Sequence, residues 1–419
     1  MGADRVLVMN SSHDDQENVE KPTKSRLIDA LLWAWAEAPV DEISVRVLVQ
    51  RAGAAQSAIH YHFDDIERLY VSASQAALAA ARDWMEQQLA DLAVLLAEPL
   101  PAALQASVIA TVIAEWTQGQ RRLAMAWRHA PDDQWQAAWE SFWLRLSDGL
   151  GLGEAGETLA AFAAGEAARH LLVWNPALDR ALLEETTSAL VIWLRERRLV
   201  PDSVRPVHRS LAGRAYDAPA MQDSALARRM ATAAGLLLAE KGHAGVTFRA
   251  VAAAAGVTLG RVIHVFGNKS GLLHAALHSL YQREAMGGDR AALLAQNFAP
   301  EVMQAHLLDA ILGGQQPVLN AYDEIERAIY NGPDHAALRG LVRSMDDPSG
   351  TWALQQMLGG EVPSAGLVAA FSAIIRGIGF RVVHKGCLQD DLRSYAVMAL
   401  QPFMTRSDHE DMRCDESPE

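Results

Sequence analysis

Cysteine is scarce in this 419-residue sequence, and long apolar runs are missing from it. The two cysteines, Cys387 and Cys414, offer neither a disulfide framework nor a metal-binding spacing, which indicates a reducing compartment. No apolar run approaches the roughly 20 residues that a membrane-spanning helix needs. The N-terminal residues include acids where a secretion signal would be apolar. We therefore expect a cytoplasmic protein with no membrane partner.

The alternating apolar and polar residues that are typical of β-strands are also missing. The chain is instead rich in alanine, leucine, arginine and glutamate, which favour helices. Half of its residues are hydrophobic, which is enough for a sizeable core. We therefore expect an all-α fold, with breaks at 99–101, 149–153, 175–176, 286–288, 313–314 and 359–360, where proline and glycine occur.

Motifs of catalysis and metal binding are absent as well. There is no glycine-rich phosphate loop, no Cys/His metal spacing and no Gly-x-Ser-x-Gly elbow. His60 and His62 stand two positions apart, which puts them on different faces of a helix. From these missing motifs we expect no enzyme activity and no catalytic residue, and we expect neither a cofactor nor a metal.

What the chain does contain is one pattern that occurs twice in register. Residues 26–69 and 229–272 align without a gap at a spacing of 203 residues, so that Ser44 falls on Thr247 and Phe63 on Phe266. A repeat of this length, with about 150 residues of other sequence between its copies, indicates duplication of a whole unit. The sequence therefore predicts two units of roughly 200 residues each.

Each copy has the features of a helix-turn-helix. Ser44 and Thr247 precede short apolar-periodic runs and suit the N-cap of a second helix. Gly53 and its counterpart Gly256 permit the tight turn that follows. Asp65 and Asn268 are placed to cap a fourth helix that leads into the rest of each unit.

The third helix of each copy is the predicted recognition helix, which in the first copy runs from Gln56 to His62. Its N-terminal part would face base edges in the major groove of DNA. Arg46 and Arg249, near the start of the second helices, would meet phosphates. The candidate DNA-binding residues are Ser44, Arg46, Gln56, Ser57, His60, Tyr61, His62, Thr247, Arg249, Thr258, Leu259, Gly260, Arg261, His264 and Lys269.

Over these 45 or so residues both copies resemble the TetR family of one-component bacterial regulators. The family pattern is a Thr/Ser-led second helix, an Ala-Gly-Val turn, a Gly-x-Leu-Tyr-x-His-Phe recognition helix and then Asn-Lys-Glu-x-Leu. The resemblance implies a three-helix DNA-binding head, an all-helical body with a small-molecule pocket, and dimerisation through two C-terminal helices. Two such units on one chain would form an intrachain pseudo-dimer, and further association of chains stays open.

The two copies depart from the family pattern in different ways. In the first, Ser57 takes the glycine place, His60 the aromatic place and Ile66 the lysine place. In the second, Ile263 and Val265 replace the tyrosine and the histidine. Because the recognition helices are unlike, we expect an asymmetric operator.

Charge also separates the two heads. The net charge of the whole chain is −14, yet residues 226–273 carry six Lys/Arg against one Asp/Glu. Residues 24–70 carry five Lys/Arg against seven Asp/Glu. The second head is therefore the better match to phosphate. The acidic first head motivates an alternative, an interaction protein that has lost useful DNA binding and acts through another regulator.

Ten of the eleven tryptophans lie before residue 200. Aromatic side chains fill cores and also line apolar ligand pockets, so both interpretations of this region stay open. If it is a pocket, the first body binds a small apolar or aromatic effector. The candidate ligand-binding residues are Trp116, Trp127, Trp139, Trp143 and His170.

The predicted organisation is a tail (1–22), a head (23–70), a body (71–199), a linker (200–222), a head (223–273), a body (274–407) and a tail (408–419). Helical stretches at 157–174 with 178–198, and at 364–385 with 389–405, close the two bodies. Their apolar faces would either pack as a four-helix interface between units or complete each unit's own core. The leading prediction is a ligand-responsive transcriptional repressor that a small apolar effector releases from DNA.

Overall fold

Helices dominate the computed structural model, which describes residues 21–37, 43–201, 205, 207, 224–286, 297–313, 317–330, 342, 348–383 and 389–404. No strand occurs in these ranges, and the predicted all-α fold is confirmed. Of the predicted tails, residues 1–20 and 408–419 lie outside them, as do both cysteines and most of the predicted linker.

The first unit contains nine α-helices within its described residues. They are α1 (Thr23–Glu37), α2 (Val45–Arg51), α3 (Ser57–Phe63), α4 (Ile66–Leu96), α5 (Ala102–Ala114), α6 (Arg121–His129), α7 (Asp133–Gly149), α8 (Gly156–Leu172) and α9 (Leu178–Glu196). A π-helical turn (Glu115–Gly119) joins α5 to α6, and a 3₁₀ turn (Gly153–Ala155) precedes α8.

The second unit repeats this order, again with nine α-helices in the ranges that the structure covers. They are α10 (Ala225–Gly245), α11 (Phe248–Ala255), α12 (Leu259–Phe266), α13 (Lys269–Met286), α14 (Pro300–Leu312), α15 (Pro317–Tyr330), α16 (Pro348–Met357), α17 (Ala365–Val383) and α18 (Gln389–Leu400). The predicted breaks at 99–101, 149–153, 175–176 and 359–360 fall between helices or at a helix end, and Met286 and Gly313 lie at the ends of α13 and α14. Gly287, Gly288 and Gly314 lie outside the described residues.

The closing helices of the two units pack against one another. Helix α8 lies along α17, and α9 and α18 flank them. Gly165 and Gly377 permit the closest approach, because a Cβ atom at Gly165 would overlap the carbonyl oxygen of Ala373, and one at Gly377 would overlap that of Ala161. Each helix thus supplies a glycine that lies against the carbonyl group of an alanine on the other helix. The same reciprocal contact occurs in interfaces about a two-fold axis.

Among the described residues, buried apolar side chains form two clusters. One runs from the first head through both bodies and includes Leu31, Trp139 and Phe403. The other joins the second head to α13 and α15, and it also contains Leu172 and Val173 from the end of α8. The second head is therefore attached to the bodies through a core of its own.

Part of the predicted linker is fixed to the first body. Arg205 is buried, and its guanidinium donates to the hydroxyl of Thr186 on α9 at 2.7 Å. Among the helices described, none is by itself long and apolar enough to span a membrane, and only α11 with α12, as a bent pair, meets that criterion by length and composition.

Candidate DNA-binding surface

The first head forms the predicted helix-turn-helix. The hydroxyl of Ser44 caps α2 by accepting from the backbone N–H of Val47 at 3.4 Å. Gly53 makes the turn with a φ of +57°, a conformation that glycine adopts without strain. Leu48 and Phe63 are buried beneath the turn and fix α2 and α3 to α1.

The second head repeats this local chemistry. The hydroxyl of Thr247 caps α11 by accepting from the N–H of Ala250 at 3.1 Å, and Gly256 turns the chain with a φ of +63°. Helices α11 and α12 meet at 113°, within the range of helix-turn-helix pairs. The next cap is Thr258, which accepts from the N–H of Arg261 and fixes the start of α12.

One face of α12 is exposed and suits a groove. Val262 is fully buried beneath the helix, whereas Leu259, Arg261 and His264 are exposed. Ile263 is 44% exposed beside them, and our sequence reasoning did not assign it to this surface. Exposed branched apolar side chains at such a place can contact thymine methyl groups. The sequence gives little signal for Ile263, because Val262 and Ile263 are adjacent apolar residues and only their burial distinguishes them.

The recognition helix of the first head begins one residue later than predicted. Helix α3 starts at Ser57, and Gln56 is its N-cap residue without a side-chain capping bond. Tyr61 is 83% exposed, and His60 is exposed beside it. His62 is half-buried and packs edge-on against both Tyr61 and Phe63. The other predicted contacts on this segment are exposed, so His62 is the least accessible of them.

The segments that follow the recognition helices differ in charge. In the first head Asp64 binds Arg68, and the Asp65 carboxylate caps α4 by accepting from the N–H of Arg68 at 2.8 Å. In the second head the amide oxygen of Asn268 caps α13 by accepting from the N–H of Gly271 at 2.8 Å. Two aspartates therefore stand in the first head where the second has a neutral cap.

The remaining predicted contacts lie on the surface of the two heads. The capping residues Ser44 and Thr247 are exposed, and so are Arg46 and Arg249 near the starts of α2 and α11. Lys269 is exposed as the first residue of α13, directly after the cap of that helix. The positive charges of the second head are thus available to an anionic backbone.

The predicted effector residues lie inside the first body. Trp116, Trp127, Trp139 and Trp143 are at most 3% exposed. The other three rings surround Trp139, with centroids 5.4, 5.0 and 5.7 Å from it. The ring of His170 instead contacts Trp174 edge-on at 5.0 Å. In this arrangement the indoles fill the core, in contact with one another.

Two of these indoles have unused hydrogen-bonding capacity. Trp139 Nε1 donates to the carbonyl of Ala160 at 3.0 Å. The Nε1 atoms of Trp116 and Trp143 are buried without a hydrogen-bond partner among the described groups. An unsatisfied buried donor costs about 1–3 kcal/mol. This part of the core would therefore gain from an acceptor that the described residues do not supply.

A cavity of about 230 Å³ lies at a different place, between α7 and α8 of the first unit and α17 and α18 of the second. Its lining includes Glu140, Glu157, Arg381 and Tyr395, none of which the sequence singled out. Burial raises the pKa of Glu140, although hydrogen bonds from Gln136 and Arg381 oppose that shift. Over the residues described, no group of three or more His, Cys, Asp or Glu side chains forms a metal site.

Comparison with known proteins agrees with the geometry of the second head. Residues 231–276 match the family model described as "Bacterial regulatory proteins, tetR family". The matched segment contains α11 and α12 completely, together with parts of α10 and α13. No curated protein matches the chain. The predicted family resemblance is confirmed at the second head, and that of the first head stays a prediction from its own residues.

Proposed function

We propose that this chain, a DNA-binding transcriptional regulator of the TetR family, is a cytoplasmic repressor without catalytic activity that places both heads on one operator. The observation that carries the proposal is the reciprocal contact between α8 and α17, where Gly165 and Gly377 play the same part. Such a contact holds two units as an intrachain pseudo-dimer.

The proposed operator is asymmetric because the two exposed recognition surfaces differ. Gln56 and Tyr61 in the first head are polar, and a glutamine suits a bidentate contact with adenine. Arg261 in the second head suits guanine, with Leu259 and Ile263 beside it for thymine methyl groups. The two half-sites would therefore have different sequences.

The proposed effector is a small aromatic molecule with at least one acceptor atom, bound among the tryptophans of the first body. Burial of its apolar area contributes about 25 cal/mol per Å². Hydrogen bonds from Trp116 Nε1 and Trp143 Nε1 would add about 1 kcal/mol each. A swing from mostly bound to mostly released DNA needs roughly 5 kcal/mol of differential affinity. The rings contact each other now, so the ligand must separate them, and that displacement provides the conformational signal.

Footprinting with the monomeric chain tests the DNA-binding part of the proposal. One chain should protect two adjacent major grooves about one helical turn, roughly 34 Å, apart, on a site without palindromic symmetry. Protection of a single groove would overturn the two-headed assignment. Absence of any specific, salt-sensitive binding at low salt would instead favour the interaction protein that acts through another regulator.

Calorimetry with candidate aromatic ligands tests the effector site. We expect one site per chain, and we expect Trp139→Phe and Trp143→Phe to weaken binding. The matched control is Trp352→Phe in the second unit, which should leave affinity unchanged because that side chain belongs to the other body and packs edge-on against Phe298. Two equivalent sites per chain, or unchanged affinity in both first-body variants, would contradict the assignment.

A further inference from the structure

The contact between α8 and α17 fixes which residues of the two units correspond. Gly165 with Ala373 and Gly377 with Ala161 form the same contact twice, so residues 212 apart take equivalent places. In this register Arg169 corresponds to Arg381. Two other positions on the same helices do not match.

The first mismatch is charged and lies at the interface. Glu166 of the first unit corresponds to Ile378, and Arg376 of the second unit corresponds to Ala164. The chain therefore places an acid on one side of the crossing and a base on the other, with apolar residues at the two equivalent positions.

These two charges lie next to one another across the crossing. Glu166 is 1% exposed and binds His170 at 3.0 Å. Arg376 Nε donates to the carbonyl of Gly165, the residue before Glu166, at 3.4 Å. Burial by itself would raise the pKa of Glu166, but the hydrogen bond from His170 and the charges of His170, Arg169 and Arg376 outweigh it and lower that pKa to about 2.

A second crossed pair lies elsewhere on the same interface. Arg128 on α6 forms an ion pair with Glu326 on α15, and their side chains are 15% and 8% exposed. The Arg128 guanidinium also stands over the ring of Phe380 at 4.3 Å. Here the first unit supplies the base and the second supplies the acid.

We propose that the crossed charges of Glu166 and Arg376 make each half of the chain select the other half as its partner and reject a second copy of itself. The inference rests on the proposed intrachain pseudo-dimer. In a pair of two first units, Ala164 would take the place of Arg376 beside Glu166, which would keep His170 and Arg169 of its own unit but lose the charge across the crossing. In a pair of two second units, each Arg376 would meet Ile378 in place of the acid. A buried charge without its partner is strongly destabilising, so like pairs are disfavoured.

The test uses the full chain with a protease site inserted within residues 208–222, folded first and cleaved afterwards. Native mass spectrometry then separates the three possible pairs, because the halves differ in mass. The cleaved protein should consist almost wholly of unlike pairs, even after prolonged incubation. Appearance of like pairs in this protein would overturn the proposal.

The decisive variant gives each helix the residue of its counterpart. Glu166→Ile with Arg376→Ala makes the two positions the same in both units, as Ile378 and Ala164 already are. Replacing a buried ion pair by apolar residues is often tolerated. Because Glu166→Ile also removes the acid that binds His170, circular dichroism must first show that the fold persists. The cleaved variant should then drift toward a random mixture of like and unlike pairs. If it keeps only unlike pairs, the charges do not determine the choice.

A single change and a control complete the design. Arg376→Ala alone removes the charge that forbids pairs of second units, so such pairs should appear even if the double variant does not fold, and their absence would contradict the proposal. Glu86→Gln is the control, because Glu86 forms its ion pair with Arg145 inside the first unit and not across the interface. It should leave partner choice unchanged, and a shift toward like pairs would contradict the charge assignment. Footprinting of the uncleaved chain reports separately on the proposed function.

Discussion

The first head shares one apolar core with both bodies, whereas the second head has a core of its own. The first head is acidic around its recognition helix, and Asp64 and Asp65 follow that helix directly. The second head carries six basic residues against one acid and has a neutral cap, Asn268, at the same place. The first head is thus the one that shares the large core, and the second head is the one whose charge suits phosphate.

The recognition helices of the two heads also differ in their N-terminal caps. Thr258 anchors the start of α12 by a side-chain bond, whereas Gln56 makes none at the start of α3. The second head therefore stabilises its recognition helix locally, while the first relies on the large core behind it. A duplicated domain can divide tasks in this way because each copy needs to retain only part of the original function.

The largest expected effect distinguishes the two cores. Leu31→Ala and Leu238→Ala remove fully buried side chains from α1 and α10, and each should cost about 2–5 kcal/mol. Because Leu31 belongs to the shared core, its loss should lower protection from hydrogen exchange in α8 and α17 as well. Loss of Leu238 should deprotect α11 and α12 and leave the shared core protected. Equal deprotection of α8 by both variants would show that the cores are not independent.

The next effect concerns DNA affinity. Arg249→Ala and Lys269→Ala should each weaken binding to all sequences by about fivefold near 0.15 M salt and lower the salt dependence by about one phosphate contact. The matched control neutralises Arg46 and Arg68 in the acidic head, where Arg68 already binds Asp64. Fluorescence anisotropy across a salt series measures both. Equal losses from the two heads would contradict the division of labour.

The pH dependence of stability involves buried histidines of both units, and burial also lowers the pKa of His278. Burial lowers the pKa of His129, on α6, to about 4, with the hydrogen bond to Trp35 opposing this shift. Burial, with a smaller effect of His278, lowers the pKa of His274, on α13, to about 4. As the pH drops, these histidines take up protons in the unfolded chain before they do so in the folded chain. Their contribution to the free energy of unfolding is therefore largest above pH 6.5 and decreases as the pH drops toward 4. The slope is at most about 1.4 kcal/mol per pH unit for each histidine.

Thermal unfolding between pH 4 and pH 7 measures this effect. His129→Gln and His274→Gln should each flatten the pH profile, and the double variant should flatten it further. A profile that remains as steep in the double variant would assign the acid sensitivity to other groups.

The smallest effect tests the caps. Thr258→Ala should destabilise the second head by about 1 kcal/mol, because the N–H of Arg261 loses its side-chain acceptor. Gln56→Ala should change the stability of the first head very little, since that side chain makes no capping bond. Hydrogen exchange in the absence of DNA reports on each head separately. A loss of similar size in both heads would remove this distinction.

Local features of the heads followed from the sequence. The caps at Ser44, Asp65, Thr247 and Asn268 join atoms within three residues, so the type of residue and the next few positions suffice to predict them. The helix breaks were predicted for the same reason. The start of α3 was misplaced by one residue because Gln56 fits a first helical turn as well as it fits the cap.

Long-range features did not follow from the sequence. The tryptophans of the first body suit a core and a pocket equally well, and only their ring-to-ring contacts reveal how they pack without a ligand. The ion pair of Arg128 with Glu326 joins residues 198 positions apart, and no local pattern encodes such a pairing. Ile263 appeared only as a departure from a family pattern, and its exposure gave it a place on the surface.

The contact between α8 and α17 can form only after the ribosome has synthesised both helices. Some 190 residues separate Leu172 from Ala365, and ribosomes add about 5–20 residues per second, so α8 waits roughly 10–40 s for its partner helix. During that interval the small apolar face around Gly165 has no second unit to cover it. The nascent first unit is then most exposed to aggregation and to chaperones, and completion of the chain ends that exposure without any search for another molecule.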